Sequence, residues 1–291
     1  MTTLPPLDTL YDIDRGRDLP LPPDLAALYG RLGFPPRPGR PHVIGNFVTT
    51  LDGVVALGVP GHAGGGDISG FNAHDRLVMG LLRAVADAVI VGAGTLRADP
   101  NHLWTAAHIY PPLAEVYQAL RTALGKPDPP LNVIVSARGA FPLDLPVFQS
   151  GAVPVLIVTT ADGAERLRAQ DLPPTVRVAD TQPSGRLSAG AILDAVRRVR
   201  PSDVILVEGG PRLLGDVVAE RRLDELFLTV APQIAGRDEA GARPGLVAGH
   251  AFAPADPRWV TLTGVKRAGS HLFLRYVLAA ATEAPAEDRS S

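Results

Sequence analysis

Two rhythms of apolar positions divide this chain. Short apolar runs bounded by Gly, Pro and charge predict strands at Val43–Thr49, Ala88–Val91, Leu131–Ser136, Val153–Thr159, Val176–Val178, Val204–Val207 and Leu226–Val230. Between them, apolar residues recur every three or four positions. In 72–85 they are Leu77, Val78, Leu81, Leu82 and Val85, the stripe of an amphipathic helix. Further helices are predicted at Asp24–Leu32, at Leu113–Leu124 (closed by Gly125), at Ala161–Ala169, at Ala189–Val199 behind a Ser188 cap, and at Pro211–Glu220 with Pro in the first turn. Leu51-Asp52-Gly53 reads as a turn and Val54–Leu57 as a second short strand. Trp259–Arg267 and Ser270–Val277 pair as a C-terminal antiparallel hairpin around Ala268-Gly269.

Strands alternating with helices predict an α/β fold, a mixed and mostly parallel sheet with helices on both faces. The Pro-rich residues 1–40 read as an N-terminal arm lying across a partner or over the site. Residues 41–278 read as one domain, and the small polar residues 279–291 as a disordered tail. The glycine-rich stretch Gly58–Gly70 reads as a mobile loop. No linker or internal repeat divides the chain.

Composition narrows the function. The 291 residues are 46% hydrophobic and carry a net charge of −2. No basic stripe interleaves with aromatics, which argues against nucleic acid. There is no cysteine, so disulfides, Cys–zinc sites and thiol nucleophiles are excluded. The N-terminus lacks a basic-then-apolar pattern, and no apolar run approaches the ~20 residues that cross a bilayer. A cytoplasmic protein with a small-molecule substrate is the expectation. The seven histidines show no metal-ligand spacing, so no metal is expected; the nearest pair is His102 and His108.

The chemistry concentrates at two turns. Val204-Ile205-Leu206-Val207 runs into Glu208-Gly209-Gly210-Pro211, and Ala88–Val91 runs into Gly92-Ala93-Gly94-Thr95. Each puts a bare backbone at the carboxyl end of a strand where a helix begins. Free N–H groups there attract anions, and glycine lets a phosphate approach closely. Two such turns point to a phosphate-bearing ligand, a nucleotide cofactor. Plainer roles stand beside these. Glu208 caps a helix, Asp99 pairs with Arg97, Arg83 forms a surface ion pair, and Asp52 is a turn residue.

Thr50-Leu51-Asp52-Gly53, the glycine-rich loop, Leu82-Arg83-Ala84, Gly92 through Asp99, Glu208-Gly209-Gly210-Pro211, and Asp224-Glu225-Leu226 followed by Ala231-Pro232 occur in one order. Over roughly residues 41–278 the chain resembles the reductase domain of the bacterial bifunctional riboflavin-biosynthesis deaminase-reductase, with its dihydrofolate-reductase-like fold. The resemblance implies an NADPH-dependent homodimeric reductase acting on 5-amino-6-(5-phosphoribosylamino)uracil. It places Gly92, Gly94, Thr95, Arg97, Asp99, Gly209, Gly210, Pro211, Leu213 and Leu214 at the cofactor; Arg97 and Arg237, otherwise plain surface charges, are candidates for its 2′-phosphate because a guanidinium fork matches phosphate. It places Asn46, Thr50, Asp52, Arg83, Leu103 and Glu208 at the substrate, and Asp99 and Glu208 at the chemistry. The zinc signature of the deaminase half has no match, which implies a stand-alone reductase.

Three departures fall in the substrate half, and two of them remove a cation that could hold a substrate phosphate. Asn46 stands where family members carry Lys, Asp67-Ile68-Ser69-Gly70 replaces a Trp-containing element, and Asp99 through Ala107 contains no Arg. Reduction of dihydrofolate or another pterin, and NADP(H) binding without turnover, are the alternatives. A Rossmann dehydrogenase is disfavoured because Gly92-Ala93-Gly94 lacks the third glycine.

Overall fold

The computed structural model describes residues 4–13, 16–59, 62, 64–237 and 243–278. In chain order the elements are β1 (Asp8–Asp12), β2 (Arg17–Asp18), α1 (Pro23–Tyr29), β3 (Gly33–Phe34), β4 (His42–Thr49), α2 (Gly65–Ser69), α3 (Ala73–Val85), β5 (Ala88–Gly92), α4 (Ala93–Ala98), α5 (Ala106–Ile109), α6 (Ala114–Ala123), β6 (Leu131–Val135), α7 (Pro146–Gln149), β7 (Val155–Thr159), α8 (Ala161–Arg168), β8 (Val176–Asp180), α9 (Ala189–Val199), β9 (Val204–Val207), α10 (Pro211–Ala219), β10 (Glu225–Val230), β11 (Val260–Ala268) and β12 (His271–Leu278).

Several helices begin where a side chain satisfies their free N–H groups. The Asn72 carboxamide accepts from His74 and Asp75 at α3, Thr160 caps α8, and Ser188 caps α9 as its sequence predicts. Ten strands form one sheet in the order β1-β11-β12-β10-β4-β9-β5-β6-β7-β8. Neighbours from β10 to β8 are parallel. The β10–β12, β12–β11 and β11–β1 pairs are antiparallel, so the predicted hairpin forms.

Side-chain alternation along the strands divides the core into two layers. On the first face Leu77, Leu81 and Leu82 of α3, Leu96 of α4 and Leu120 of α6 pack on Ile44, Val89, Val91 and Leu206. On the second, Ile192 and Val196 of α9 and Leu213, Leu214 and Val217 of α10 pack on Val43, Ile90, Ile205 and Val207. Adjacent strands β5 and β9 therefore send their following helices to opposite faces. Such a divergence opens a crevice at the carboxyl ends of the strands, where open α/β sheets bind ligands.

Three expectations change. The 1–40 arm covers its own domain. Its β1 extends the sheet beside β11, and Leu25, Tyr29, Leu32 and Phe34 fill the first core. Val54–Leu57 is not a strand, because Thr50 and Val54 close a tight turn through N–H to O contacts of 3.0 and 2.9 Å. The Gly58–Gly70 stretch contains α2, which buries Ile68; residues 60, 61 and 63 lie outside the described residues. Helix α4, six residues long, is too short to show a helical period in sequence. The expected tail, 279–291, lies outside the described residues. Among the described residues, no helix is long and apolar enough to cross a membrane.

Candidate active site

The two glycine turns meet at the crevice. A Cβ on Gly209 would lie 2.5 Å from the Val91 Cα and 2.8 Å from the Gly92 nitrogen, so only glycine lets the β9 turn press against the end of β5. Gly210 has φ +70° and serves as N-cap of α10. Its missing Cβ would meet only the Thr95 hydroxyl, at 3.7 Å. Around Gly94 a Cβ would meet nothing within 4 Å. Gly209 thus serves packing, while Gly94 and Gly210 leave space at the mouth of the crevice. Pro211 occupies the first turn of α10, and the Leu213 and Leu214 side chains are buried in the second core. The Leu214 N–H is spent on the Gly210 carbonyl at 3.1 Å, so of the two leucines only Leu213 has a backbone N–H to offer a ligand, and the expected cofactor role of Leu214 is not supported.

Beside the turns, side chains from four segments converge on the first face. Arg83 is 1% exposed and the Glu208 side chain 3%. Arg83 Nε and Nη2 both reach Glu208 Oε2, at 2.9 and 2.8 Å. Asn46 Nδ2 donates to the other oxygen, Oε1, over a longer 3.4 Å. Arg83 Nη1 contacts His102 Nε2 at 2.8 Å and the Thr105 carbonyl at 3.2 Å. His102 Nδ1 lies 3.0 Å from Asp99 Oδ2. The 102–105 segment is held by buried Asn132 of β6, whose carboxamide bonds both the N–H and the C=O of Trp104.

The electrostatics follow from this wiring. The Asp99 carboxyl is held below its ordinary value, first by the His102 hydrogen bond, and it is ionised at neutral pH. Burial pushes His102 down, so its ring is neutral. His108, whose ring centroid lies 4.7 Å from that of His102, is also lowered, chiefly by desolvation. Asp75 of α3 is buried and its carboxyl is raised by desolvation, against hydrogen bonds from Thr229 and Ser69.

The remaining expected site residues separate from these two groups. Thr50 donates to Asp52 at 2.6 Å. Asp52 also accepts the Ala235 and Gly236 N–H groups at 3.1 and 2.8 Å, and these bonds hold its carboxyl down at about 2. This pair ties the turn after β4 to the loop after β10. The Arg237 guanidinium is engaged by the Asp52 and Arg243 carbonyls. Arg97 projects from α4 and is exposed; Leu103 packs partly buried against the first core. His102, Asn132, Asp75 and Thr229 belong to the site region without having been marked as site residues by sequence. The signal for His102 was its place three residues after Asp99, a spacing not read above, where His102 was considered only with His108 for metal binding. Among the described residues, no three His, Asp or Glu side chains converge in a metal-holding group.

Residues 41–270 match the model of the RibD C-terminal domain. The chain belongs to this family. Over 202 residues it is 27% identical to the 2,5-diamino-6-ribosylamino-4(3H)-pyrimidinone 5′-phosphate reductase of Archaeoglobus fulgidus, covering 68% of the chain and 84% of the relative. It is 26% identical over 203 residues to the riboflavin biosynthesis protein RibD of Mycobacterium tuberculosis, covering 69% of the chain and 44% of that relative. A pyrimidine reductase-like protein from Corynebacterium diphtheriae shares the fold, with TM-score 0.64 and 21% identity over 82% of this chain and 92% of that one. The deaminase/reductase of Thermotoga maritima also shares it (TM-score 0.60, 21% identity, 82% of this chain), and 57% of that chain is covered. The chain thus spans about half the length of the RibD relatives. Membership makes it an oxidoreductase with the mixed-sheet reductase fold.

Proposed function

We propose that this protein is an NADPH-dependent reductase of a ribosylaminopyrimidine 5′-phosphate, with 5-amino-6-(5-phosphoribosylamino)uracil as substrate. The observation that carries the reading is the half-open Glu208 carboxylate at the β5/β9 divergence. Its Oε2 is saturated by Arg83, while Oε1 has only the 3.4 Å contact from Asn46. A carboxylate oxygen in that state accepts from the amino or ring N–H edge of a pyrimidine. The chain's relation to the Archaeoglobus reductase supports the substrate class.

The residues fit a nicotinamide dinucleotide. Gly94 and Gly210 leave a cradle that a Cβ would occupy, and the first N–H groups of α10 face an anion with the favourable end of the helix dipole. Gly92, Gly94, Thr95, Gly210 and the backbone of Leu213 would hold its phosphates, with Gly209 setting the turn against β5 and exposed Arg97 available to the 2′-phosphate. When bound, the cofactor supplies the hydride. The chain's own tasks are to orient the pyrimidine through Glu208 and Arg83, to present Asp99 as an ionised acceptor, and to exclude water with Trp104 and the first-face core.

The same reading includes a homodimer. Register puts Leu226, Leu228 and Val230 of β10 opposite Tyr276, Leu274 and Leu272 of β12, with Leu262 and Val265 of β11 beyond them. This stripe lies on the second face, and Leu228, Leu262, Leu272, Leu274 and Tyr276 stay partly exposed. Light scattering of the purified protein checks it: twice the chain mass is expected, and a monomer at micromolar concentration removes the dimer from the account.

The site reading is tested with Glu208→Gln. Titration by NADPH fluorescence should give the wild-type affinity, while pyrimidine affinity falls by about tenfold or more. Equal loss of both ligands would place Glu208 at the cofactor and overturn the assignment.

A further inference from the structure

We infer that His102 is a positioning residue of this site: neutral and protonated on Nδ1, it fastens the Asp99 carboxylate to the Arg83–Glu208 pair. The inference rests on the reductase reading for its kinetic consequences and on geometry alone for the state of the ring.

The tautomer follows from the partners. The Arg83 guanidinium has only donors, so the ring nitrogen 2.8 Å from its Nη1 must present a lone pair. That nitrogen is His102 Nε2. The remaining proton is then on Nδ1, which lies 3.0 Å from Asp99 Oδ2 and donates to it. Both edges of the imidazole are committed, and the ring is held at 9% exposure beside Trp104, 5.2 Å between centroids. An imidazolium would have to point an N–H at the guanidinium, which the 2.8 Å separation forbids.

The consequence is a continuous wire: Asp99, His102, Arg83, Glu208, Asn46. It spans the two groups that the proposed reaction needs in register. Asp99, at the end of α4, borders the cofactor turn; Glu208 borders the pyrimidine. The Asp99 side chain is half exposed and has a second oxygen outside this contact, so without a tether its rotamers would spread. His102 fixes one oxygen and leaves the other to a ligand. The charged and titratable groups facing Asp99 are His102 and His108 from the following segment and Arg83 from α3. Those facing His102 are Asp99, Arg83, Glu208 and His108. Its hydrogen bond is the largest influence keeping Asp99 ionised.

Two substitutions separate the two edges of the ring. In His102→Asn the carboxamide nitrogen takes the place of Nδ1 and keeps the donor to Asp99. In His102→Gln the terminal amide reaches the Nε2 position and keeps a partner for Arg83, but nothing donates to Asp99. Turnover of the Asn variant should exceed that of the Gln variant on the order of tenfold, since small misplacements of a positioned group are costly in rate. The acidic limb of kcat/KM should move to higher pH in the Gln variant, because an untethered Asp99 protonates more readily, and should stay in place in the Asn variant.

The wild-type ring is read independently of activity by long-range 1H–15N NMR of the histidines in the ligand-free protein. A neutral Nδ1–H form across pH 6–8, unchanged in that window, is expected. A ring that titrates there, or an Nε2–H tautomer, overturns the inference even if the enzyme turns over. An Asn variant no better than the Gln variant overturns it as well. Absence of turnover in wild type together with a locked Nδ1–H ring would refute the reductase reading and leave the positioning geometry standing.

Discussion

The two halves of the crevice are built on opposite principles. The half proposed for the cofactor is backbone: glycines at 92, 94, 209 and 210, with the buried leucines of α10 behind them. The half proposed for the substrate is side chain: Arg83, Glu208, His102, Asp99 and Asn46 come from four segments, with Arg83 and Glu208 paired in the interior and Asp99 half exposed at the rim. A backbone cradle needs only that nothing be added to it. A buried charge cluster needs every member, because removing one leaves the others desolvated and unpaired. The halves should therefore fail differently when mutated.

The sharpest contrast is Arg83→Ala. It strands the Glu208 carboxylate at 3% exposure, and loss of one partner of a buried pair costs about 3–5 kcal/mol. Urea denaturation should show that loss together with abolished pyrimidine binding; a variant of wild-type stability would mean water reaches the pair. Next, Gly209→Ala must push the β9 turn off Val91. About 1–3 kcal/mol is expected, as for an overpacked core, with NADPH affinity falling in parallel. Gly94→Ala meets open space, so its melting temperature should not change. Its NADPH affinity should drop about tenfold, the equivalent of one lost hydrogen bond near ~1.4 kcal/mol. A stability loss there would erase the distinction between packing glycine and cradle glycine.

Smaller effects probe the substrate half. Asn46→Lys restores a cation beside Glu208, and KM for the phosphorylated substrate should fall about fivefold (~1 kcal/mol), with no change for the dephosphorylated one. An equal change for both would show that position 46 does not sense the phosphate. The smallest effect concerns Asp75, whose folded carboxyl is raised above the ordinary 3.8 by burial. A raised acid contributes stability below its unfolded value and loses it as pH rises through the folded one. Asp75→Asn should remove that decline, gaining on wild type as pH climbs above about 3.8 in thermal melts taken at a series of pH values.

The same contrast explains what the sequence disclosed. Val204–Val207 and Ala88–Val91 are apolar runs ending in glycine, a local pattern that carries both strand and turn, and both turns formed where expected. The strand alternation and the Ser188 and Pro211 helix starts were equally local. The substrate half was legible only in part. Arg83 and Glu208 are 125 positions apart, and nothing local says that they pair. His102 carried no periodic signal, since its role arises from Asn132 pinning Trp104 on a neighbouring strand. Thr50 and Asp52 were read toward the substrate, whereas their oxygens close a turn and hold the 235–236 loop. In sequence the arm reads as lying across a partner or over the site because its prolines hide the apolar contacts of Leu25, Leu32 and Phe34, which complete the first core.

The most direct test follows the absorbance of reduced nicotinamide while purified protein is mixed with NADPH and 5-amino-6-(5-phosphoribosylamino)uracil, with dihydrofolate in a parallel cuvette. The account predicts oxidation with the ribosylaminopyrimidine phosphate, none with dihydrofolate, and for the Glu208→Gln protein a pyrimidine KM raised about tenfold or more with NADPH affinity unchanged. A protein that binds no NADPH, or that oxidises it only with dihydrofolate, contradicts the account.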